Sequence, residues 1–386
     1  MFFQILTANI SIGNPPQNFG VTLDTGYADP LLVPSVNCEA DGFDGCDERW
    51  PHRYNHTKSE TFEPNGRKVE TELAAYNYHG HLSWDEVNVG DVAIPHVLFH
   101  EWQRASCRFF GCIAGGFDGA FGLAPPWVET TVQAPSPLSA LFDSEVLDSR
   151  SFSLTLPNIF DGAGEITFGI SEPAKNARDP VKIPLRDDYN GSNPVASYWP
   201  IQFNDLLMNN PDPAGDPLRA SFGNVGVSII TSFPGIMLPG DWGTALNNLI
   251  GAEDIGPPFH KVPCEKRGTL PPLILGLGPD DQSVAISSWS YIQKFCDPEG
   301  VRGCICASMF EDGAEYGIGS DGVVLGHAFL EGFYTTFDAD ERSVSCKSTL
   351  CQHVEMLDSL IYATVAELVY DEHHLDGRRW WDTPGA

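Results

Sequence analysis

Apolar and polar residues alternate with a period of two along most of this chain, the pattern of half-buried β-strands. Residues 3–11 alternate into the turn Gly13-Asn14-Pro15-Pro16-Gln17, and residues 19–23 follow as a second strand. Residues 70–89 predict a hairpin: a strand, a polar tip around Tyr76-Asn77-Tyr78-His79-Gly80-His81, and a return strand over 82–89. Phe152-Ser153-Leu154-Thr155-Leu156 and Gly164-Glu165-Ile166-Thr167-Phe168-Gly169 predict a further pair. The second half repeats this logic. Tyr198-Trp199-Pro200-Ile201 opens it, Ile229-Ile230 leads into a turn, and Val323-Val324-Leu325-Gly326-His327-Ala328-Phe329-Leu330 precedes a strand over 333–338. Gly122 follows Asp24, and Gly326 follows Thr231, at nearly equal remove, which indicates a duplicated lobe rather than a short solenoid repeat. After Cys351 the period changes. Val354, Leu357, Leu360, Ile361, Val365 and Leu368 fall at helical spacing with Glu355, Asp358 and Glu367 between them, predicting a C-terminal amphipathic packing helix. A polar end with Arg378, Arg379, Trp380 and Trp381 follows.

Length and composition agree with a two-lobed, turn-rich body. The chain has 386 residues, enough for two lobes that each bury a core, and its 38 Gly, 30 Pro and 23 Phe suit an all-β protein with short helices. The 52 acidic against 22 basic residues give a net charge of −30, which excludes nucleic acid and anionic membranes as natural partners. Ten cysteines point to an oxidising compartment. Cys38–Cys46, Cys107–Cys112 and Cys346–Cys351 are spaced as local staples. Cys264, Cys296, Cys304 and Cys306 remain open, with Cys264–Cys306 and Cys296–Cys304 preferred because Cys304 and Cys306 are too close to bridge. These four lack the paired knuckles of a zinc site, so no metal and no cofactor are expected. Sequons at Asn9, Asn55 and Asn190 fit a secretory route, extracellular or vacuolar; Asn9, in a strand, is the weakest acceptor. No apolar run reaches transmembrane length, and the chain opens on a strand, as expected once a signal and pro-segment are removed.

The chemistry concentrates in three stretches. Val21-Thr22-Leu23-Asp24-Thr25-Gly26 brings apolar residues into a carboxylate on a glycine turn, and Phe117-Asp118-Gly119-Ala120-Phe121-Gly122-Leu123 follows about ninety residues on. With Gly13-x-Pro15-Pro16-Gln17 upstream and Val33-Pro34-Ser35 downstream, these resemble the N-terminal lobe of a pepsin-like aspartic protease over roughly residues 4–344. The resemblance implies a bilobal acid-protease fold with a central cleft, a flap hairpin over it, and Asp24 on the cleft floor. It further implies an N-terminal lobe over 1–160 and a C-terminal lobe over 161–345, to which the helical spacing adds a helical tail over 346–386. Asp118 matches a structural position of the family.

The departures shape the functional reading. Where the family repeats its aspartate, this chain reads Val227-Ser228-Ile229-Ile230-Thr231-Ser232-Phe233-Pro234-Gly235, and no Asp or Glu occurs between Pro217 and Gly240. Alignment sets Thr231 in the aspartate's place with Ser232 after it; a shift of one residue sets Ile230 there. Pepsin-type chemistry needs two carboxylates that share a proton, and a hydroxyl is no substitute. After Asp24-Thr25-Gly26, Tyr27-Ala28-Asp29-Pro30 replaces small serines with one residue more than usual, and Leu31 or Leu32 stands where Trp is expected. The flap lacks its Tyr-Gly pair, leaving Tyr76 or Tyr78 to lean over the cleft. His327 is a candidate acid-base partner for Asp24, against a simpler hydrogen-bonded structural role. His79 and His81 are candidates to face a ligand, against plain exposure. Ser232 as nucleophile lacks a visible His-Asp pair. Three functions follow: a catalytically deficient homologue, monomeric, whose cleft binds a peptide, small molecule or protein; a cleft in which Asp24 runs a cyclisation or isomerisation on a small hydrophobic substrate; and a weak residual endopeptidase.

Overall fold

A computed structural model describes residues 6–38, 52–73, 76–107, 117–156, 163–169, 180–187, 198–256, 260–279, 282–296, 303–313, 322–348 and 365–370. Strands dominate and the helices are short, among them Pro137–Asp143 and Trp242–Ile250, so the chain has the all-β, bilobal architecture that the resemblance implies. One sheet of 13 strands, one of seven and one of four carry the fold.

Each half repeats one unit. In the first, Gln17–Asp24 runs parallel to Gly119–Gly122 with Asp24 opposite Gly122. Leu31–Pro34 lies antiparallel to that strand through Leu32 and Ala120, and parallel to Val92–Cys107. In the second, Leu218–Ile229 runs parallel to Gly322–Leu325 with Ile229 opposite Leu325. Ile236–Leu238 then lies antiparallel to Gly322–Leu325 and parallel to Phe310–Asp312. The central strands of both units are continuously apolar because they are covered on both faces; every residue of Leu31–Pro34 and Gly322–Leu325 is buried. Glycine is required where the chain after each floor strand crosses back. A Cβ on Gly122 would sit 2.3 Å from the Tyr27 carbonyl oxygen, and one on Gly326 would sit 2.1 Å from that of Phe233.

The main core runs through both halves. Where the halves join, Phe152 stacks on Phe337 at 4.7 Å, and Trp199 meets the two edge-on at 5.6 and 5.1 Å.

The structure corrects three expectations. The hairpin does not turn at Tyr76–His81: Glu63–Leu73 and Tyr76–Val89 pair with Leu73 opposite Tyr76, so Tyr76, Tyr78, His79 and His81 all lie inside the return strand. The polar run alternates, with Tyr76 and Tyr78 buried and their neighbours partly exposed, which is strand behaviour. In the tail, Val365–Tyr370 is a strand where a helix was expected. It fills the gap between Leu6–Ile12 and Ala163–Phe168, pairing antiparallel with both, and the open edges on either side decide its conformation. The rest of the expected helix lies outside the described residues. Finally, Cys346 is a free buried thiol rather than half of a bridge to Cys351. It sits mid-strand in Ser343–Ser348 between Val181 and Thr335, and burial, against a hydrogen bond with Thr335, pushes it up to about 12.

Cys264–Cys306 and Cys296–Cys304 are bridged, resolving the four open cysteines in the preferred way. Cys38 is disulfide-bonded; Cys46, Cys112, Cys351 and the Cys107 side chain lie outside the described residues. The Cys296–Cys304 bridge closes a separation of eight residues, so replacing both by alanine is expected to lower the unfolding free energy by roughly 2 kcal/mol in a denaturant melt. Asn9 is an exposed position of the first strand, Asn55 accepts hydrogen bonds from Thr57 N and Oγ1, and Asn190 lies outside the described residues. No helix among the described residues is long and apolar enough to cross a membrane.

Candidate functional site

The cleft floor is built where the two floor strands end. Thr25 Oγ1 donates to the Ile229 carbonyl at 2.7 Å and accepts from Thr231 N at 3.0 Å. In return, Thr231 Oγ1 donates to the Leu23 carbonyl at 2.7 Å and accepts from Thr25 N at 3.1 Å. All four bonds are buried, where an unmatched partner would cost about 1–3 kcal/mol, so the exchange locks the lobes in one register. It relates Leu23 to Ile229 and Thr25 to Thr231, and therefore Asp24 to Ile230. The turns agree: Tyr27 N donates to Asp24 O and Phe233 N to Ile230 O, each at 3.2 Å. Thr231, set by alignment in the aspartate's place, is thus the counterpart of Thr25, because its β-hydroxyl is consumed by the exchange. Ile230, the one-residue alternative, is the counterpart of Asp24, and Ser232 that of Gly26.

Asp24 is 4% exposed. Burial pushes its carboxyl above the ordinary range, against a 2.7 Å hydrogen bond from Gly26 N to Oδ1 and another from the Ser232 hydroxyl. Ile230 crowds the same spot. A Cβ placed on Gly26 would lie 3.0 Å from Ile230 Cγ2 and 3.2 Å from Asp24 Oδ1.

Aromatic residues wall the floor. Tyr27 is buried with its hydroxyl donating to Pro30 O at 3.3 Å. It packs in a cluster with Leu32, Tyr76, Tyr78, Trp102 and Ala120, so the flap tyrosines sit on the floor tyrosine. Tyr78 meets Trp102 edge-on at 5.4 Å. Burial, with the negative charge of Asp29 and Asp24, holds the Tyr27 phenol protonated.

Two further residues belong to the site and escaped the sequence reading. Tyr198 is partly exposed, and its carbonyl accepts from Ile229 N at 3.3 Å. The next residue, Trp199, holds φ at 49°, a conformation rare for a non-glycine residue, and its Nε1 donates to Leu123 O at 2.8 Å. Leu123 N in turn bonds Asp24 O at 2.8 Å. Burial and then the charges of Asp24 and Asp29 raise the Tyr198 phenol. Asp29 is buried, with its carboxylate accepting from Thr131 N at 2.7 Å and Thr131 Oγ1 at 2.6 Å. The only local signal for Asp29 was the extra residue after Gly26.

The other candidates sit apart from this chemistry. His327 opens the short helix His327–Leu330, its N donating to Phe233 O at 2.7 Å, and burial lowers it to about 4, so it is neutral near pH 7. It is not among the groups that act on Asp24. His79 stands opposite Glu70, its Nδ1 3.6 Å from Glu70 Oε2, and His81 stands opposite Lys68. Both instead help desolvation hold buried His100 down to about 3. Asp118 accepts from Gly20 N at 2.7 Å and faces His52 Nδ1 at 3.0 Å. Among the described residues, no group of three His, Cys, Asp or Glu is arranged to hold a metal ion.

Glu331, just past His327–Leu330, is a partly buried acid of the second lobe. Burial pushes it from its ordinary value near 4.5 up to about 7, against hydrogen bonding from Gln293 Nε2 and the charge of Arg267. A raised folded pKa means that the fold binds this proton more tightly than the unfolded chain. Its stabilisation is therefore complete below pH 4.5 and lost as pH rises through 7. The melting temperature is expected to fall across that window, and Glu331→Gln to flatten the profile in a calorimetric pH series.

The sequence profile of the family described as eukaryotic aspartyl protease matches residues 6–348. Cathepsin D of Bos taurus is 29% identical over 348 residues, covering 87% of this chain and 82% of that protein. The probable vacuolar protease A of Trichophyton verrucosum (strain HKI 0517) is 27% identical over 347 residues, covering 87% and 76%. Napsin-A of Mus musculus is 30% identical over 275 residues, covering 70% and 60%.

Proposed function

The chain belongs to the eukaryotic aspartyl protease family, and from that premise we propose that its cleft binds a ligand and does not hydrolyse peptides. The observation that carries this reading is Ile230, the residue that the threonine exchange relates to Asp24. Peptide hydrolysis in this family asks one carboxylate to take a proton from water while a second donates one to the scissile carbonyl. An isoleucine neither holds nor donates a proton. Tyr27, Tyr76 and Tyr78, packed together beside the turn of the hairpin, support a remodelled lid. The ligand is a peptide, a small molecule or a protein, and the chain works as a monomer in the vacuole or outside the cell, in line with its disulfides and with relatives named as vacuolar proteases.

One observation favours a second reading. Asp24 is buried with a raised pKa, and the Tyr198 phenol lies within its field; a carboxylate base paired with a phenol acid suits an isomerisation or cyclisation on a small hydrophobic substrate. A residual endopeptidase ranks third.

The test incubates the purified chain with acid-denatured haemoglobin, alongside bovine cathepsin D, and titrates both with a statine-type transition-state analogue. The expected result is no cleavage and no analogue binding by this chain. Cleavage that disappears in Asp24→Asn would overturn the proposal.

A further inference from the structure

Asn55-His56-Thr57 has the acceptor pattern for N-linked glycan transfer, and the fold gives it a setting that Asn9-Ile10-Ser11 lacks. Asn55 caps the single turn His56–Lys58, its Oδ1 accepting from Thr57 N at 3.1 Å and from Thr57 Oγ1 at 2.7 Å. A backbone N–H can only donate, so the atom facing it is the amide oxygen and Nδ2 is turned away. Among the described residues, Nδ2 has no hydrogen-bond partner. The middle residue turns inward: His56 stacks on Phe62 with ring centroids 5.0 Å apart, and its Nδ1 lies 3.7 Å from Oε1 of buried Glu101. Thr57 is exposed, and the Asn55 side chain bonded to it shares that outer side. Gln17 fixes the Asn55 backbone, donating from Nε2 to Asn55 O at 3.1 Å and accepting from Asn55 N at 2.8 Å. Asn9 is exposed too, but it lies mid-strand in Leu6–Ile12, opposite Gly20 of Gln17–Asp24. Its same-face neighbour Thr7 is buried, and Ser11 and Gly20 are only partly exposed, so the sheet surface around it is largely covered.

We propose that Asn55 Nδ2 carries an N-linked oligosaccharide and that Asn9 stays bare. This goes beyond the cleft reading and does not depend on it. The disulfides Cys264–Cys306 and Cys296–Cys304 need an oxidising compartment, which is where such transfer takes place. The donor is an oligosaccharide carried on a lipid pyrophosphate. Asn55 Nδ2 bonds C1 of the first sugar as the bond from C1 to the pyrophosphate oxygen breaks; the lipid pyrophosphate leaves, and the transferase takes the displaced amide proton. The folded turn accommodates the product with no bond lost, because Oδ1 goes on accepting from Thr57 and Gln17 goes on holding the backbone. A group that is bulky and solubilising belongs on such an outward turn.

The experiment expresses the full chain through a eukaryotic secretory pathway and treats its peptides with a peptide N-glycosidase in heavy-oxygen water, which turns each occupied asparagine into a mass-tagged aspartate. We expect the tag at Asn55 and none at Asn9. Asn55→Asp keeps a cap acceptor for Thr57 N and Oγ1 but cannot be glycosylated, so the intact variant should be lighter than the parent by one glycan while melting as the deglycosylated parent does. Thr57→Val, nearly the same shape without the hydroxyl, should lose the tag at Asn55, and Thr57→Ser should keep it. Asn9→Gln should leave the intact mass unchanged apart from the substitution. An untagged Asn55 in the parent, or equal glycan mass on the parent and Asn55→Asp, overturns the site. A tag at Asn9 overturns the choice between the two asparagines.

Discussion

If the proposed loss of proteolysis holds, Ile230→Asp is expected to make the chain release soluble peptides from a denatured protein at about pH 4, where a carboxylate pair holds one proton between its members. The threonine exchange and the paired turns place residue 230 where its carboxylate would face Asp24. Two such groups titrate as a pair, with one apparent pKa pushed down and the other up. One then serves as base toward water and the other as acid toward the carbonyl, a division typically contributing on the order of 10²–10⁴-fold. The gain should be at least of that order over the parent, which supplies one member only. Asp24→Asn in the same variant should silence it, and the parent chain cleaving as fast as Ile230→Asp would sink the assignment. Tyr27 limits the recovery, since its ring is packed under Tyr76 and Tyr78 beside the floor. Adding Tyr27→Ser should raise the rate further.

Trp199→Ala is expected to give the largest loss of stability. The side chain is fully buried, edge-on to Phe152 and Phe337, and donates to Leu123 O at 2.8 Å. Truncating a buried tryptophan costs about 3–5 kcal/mol in lost burial and cavity, and the orphaned Leu123 carbonyl adds about 1 kcal/mol. Trp199→Phe retains most of the packing and loses the indole N–H, so it should cost about 1–2 kcal/mol. Denaturant melts of the two variants separate packing from the hydrogen bond. Because Leu123 N holds Asp24 O, both variants should also weaken ligand binding at the floor, the alanine variant more.

Local features were legible in the sequence and long-range ones were not. The Asp24 turn, the glycines at 122 and 326 and the duplication are written in contiguous residues, because close backbone approach admits only glycine. The choice between Ile230 and Thr231 rested on one residue of register among β-branched neighbours, and hydrogen bonds spanning 206 residues decide it. Gly80 suggested a hairpin tip, yet it sits at a register shift in a strand, where a Cβ would come within 2.2 Å of the Glu101 carbonyl oxygen. Val365 and Leu368 fit a helical period as well as a strand, and only the gap in the sheet distinguishes them. Tyr198 has no local signature as a site residue; its place at the end of the floor strand follows from the backbone of Trp199 and Ile229.

The strand Val365–Tyr370 has a consequence for biosynthesis. It completes a sheet whose neighbours, Leu6–Ile12 and Ala163–Phe168, leave the ribosome far earlier. At about 5–20 residues per second, the first of these waits on the order of tens of seconds for its partner. Between the synthesis of Ala163–Phe168 and that of Val365–Tyr370 the nascent chain therefore displays both unpaired strand edges, which are templates for intermolecular pairing. A chain truncated before Val365 should clump rather than be merely shorter, and those edges need shielding until Val365–Tyr370 has been made.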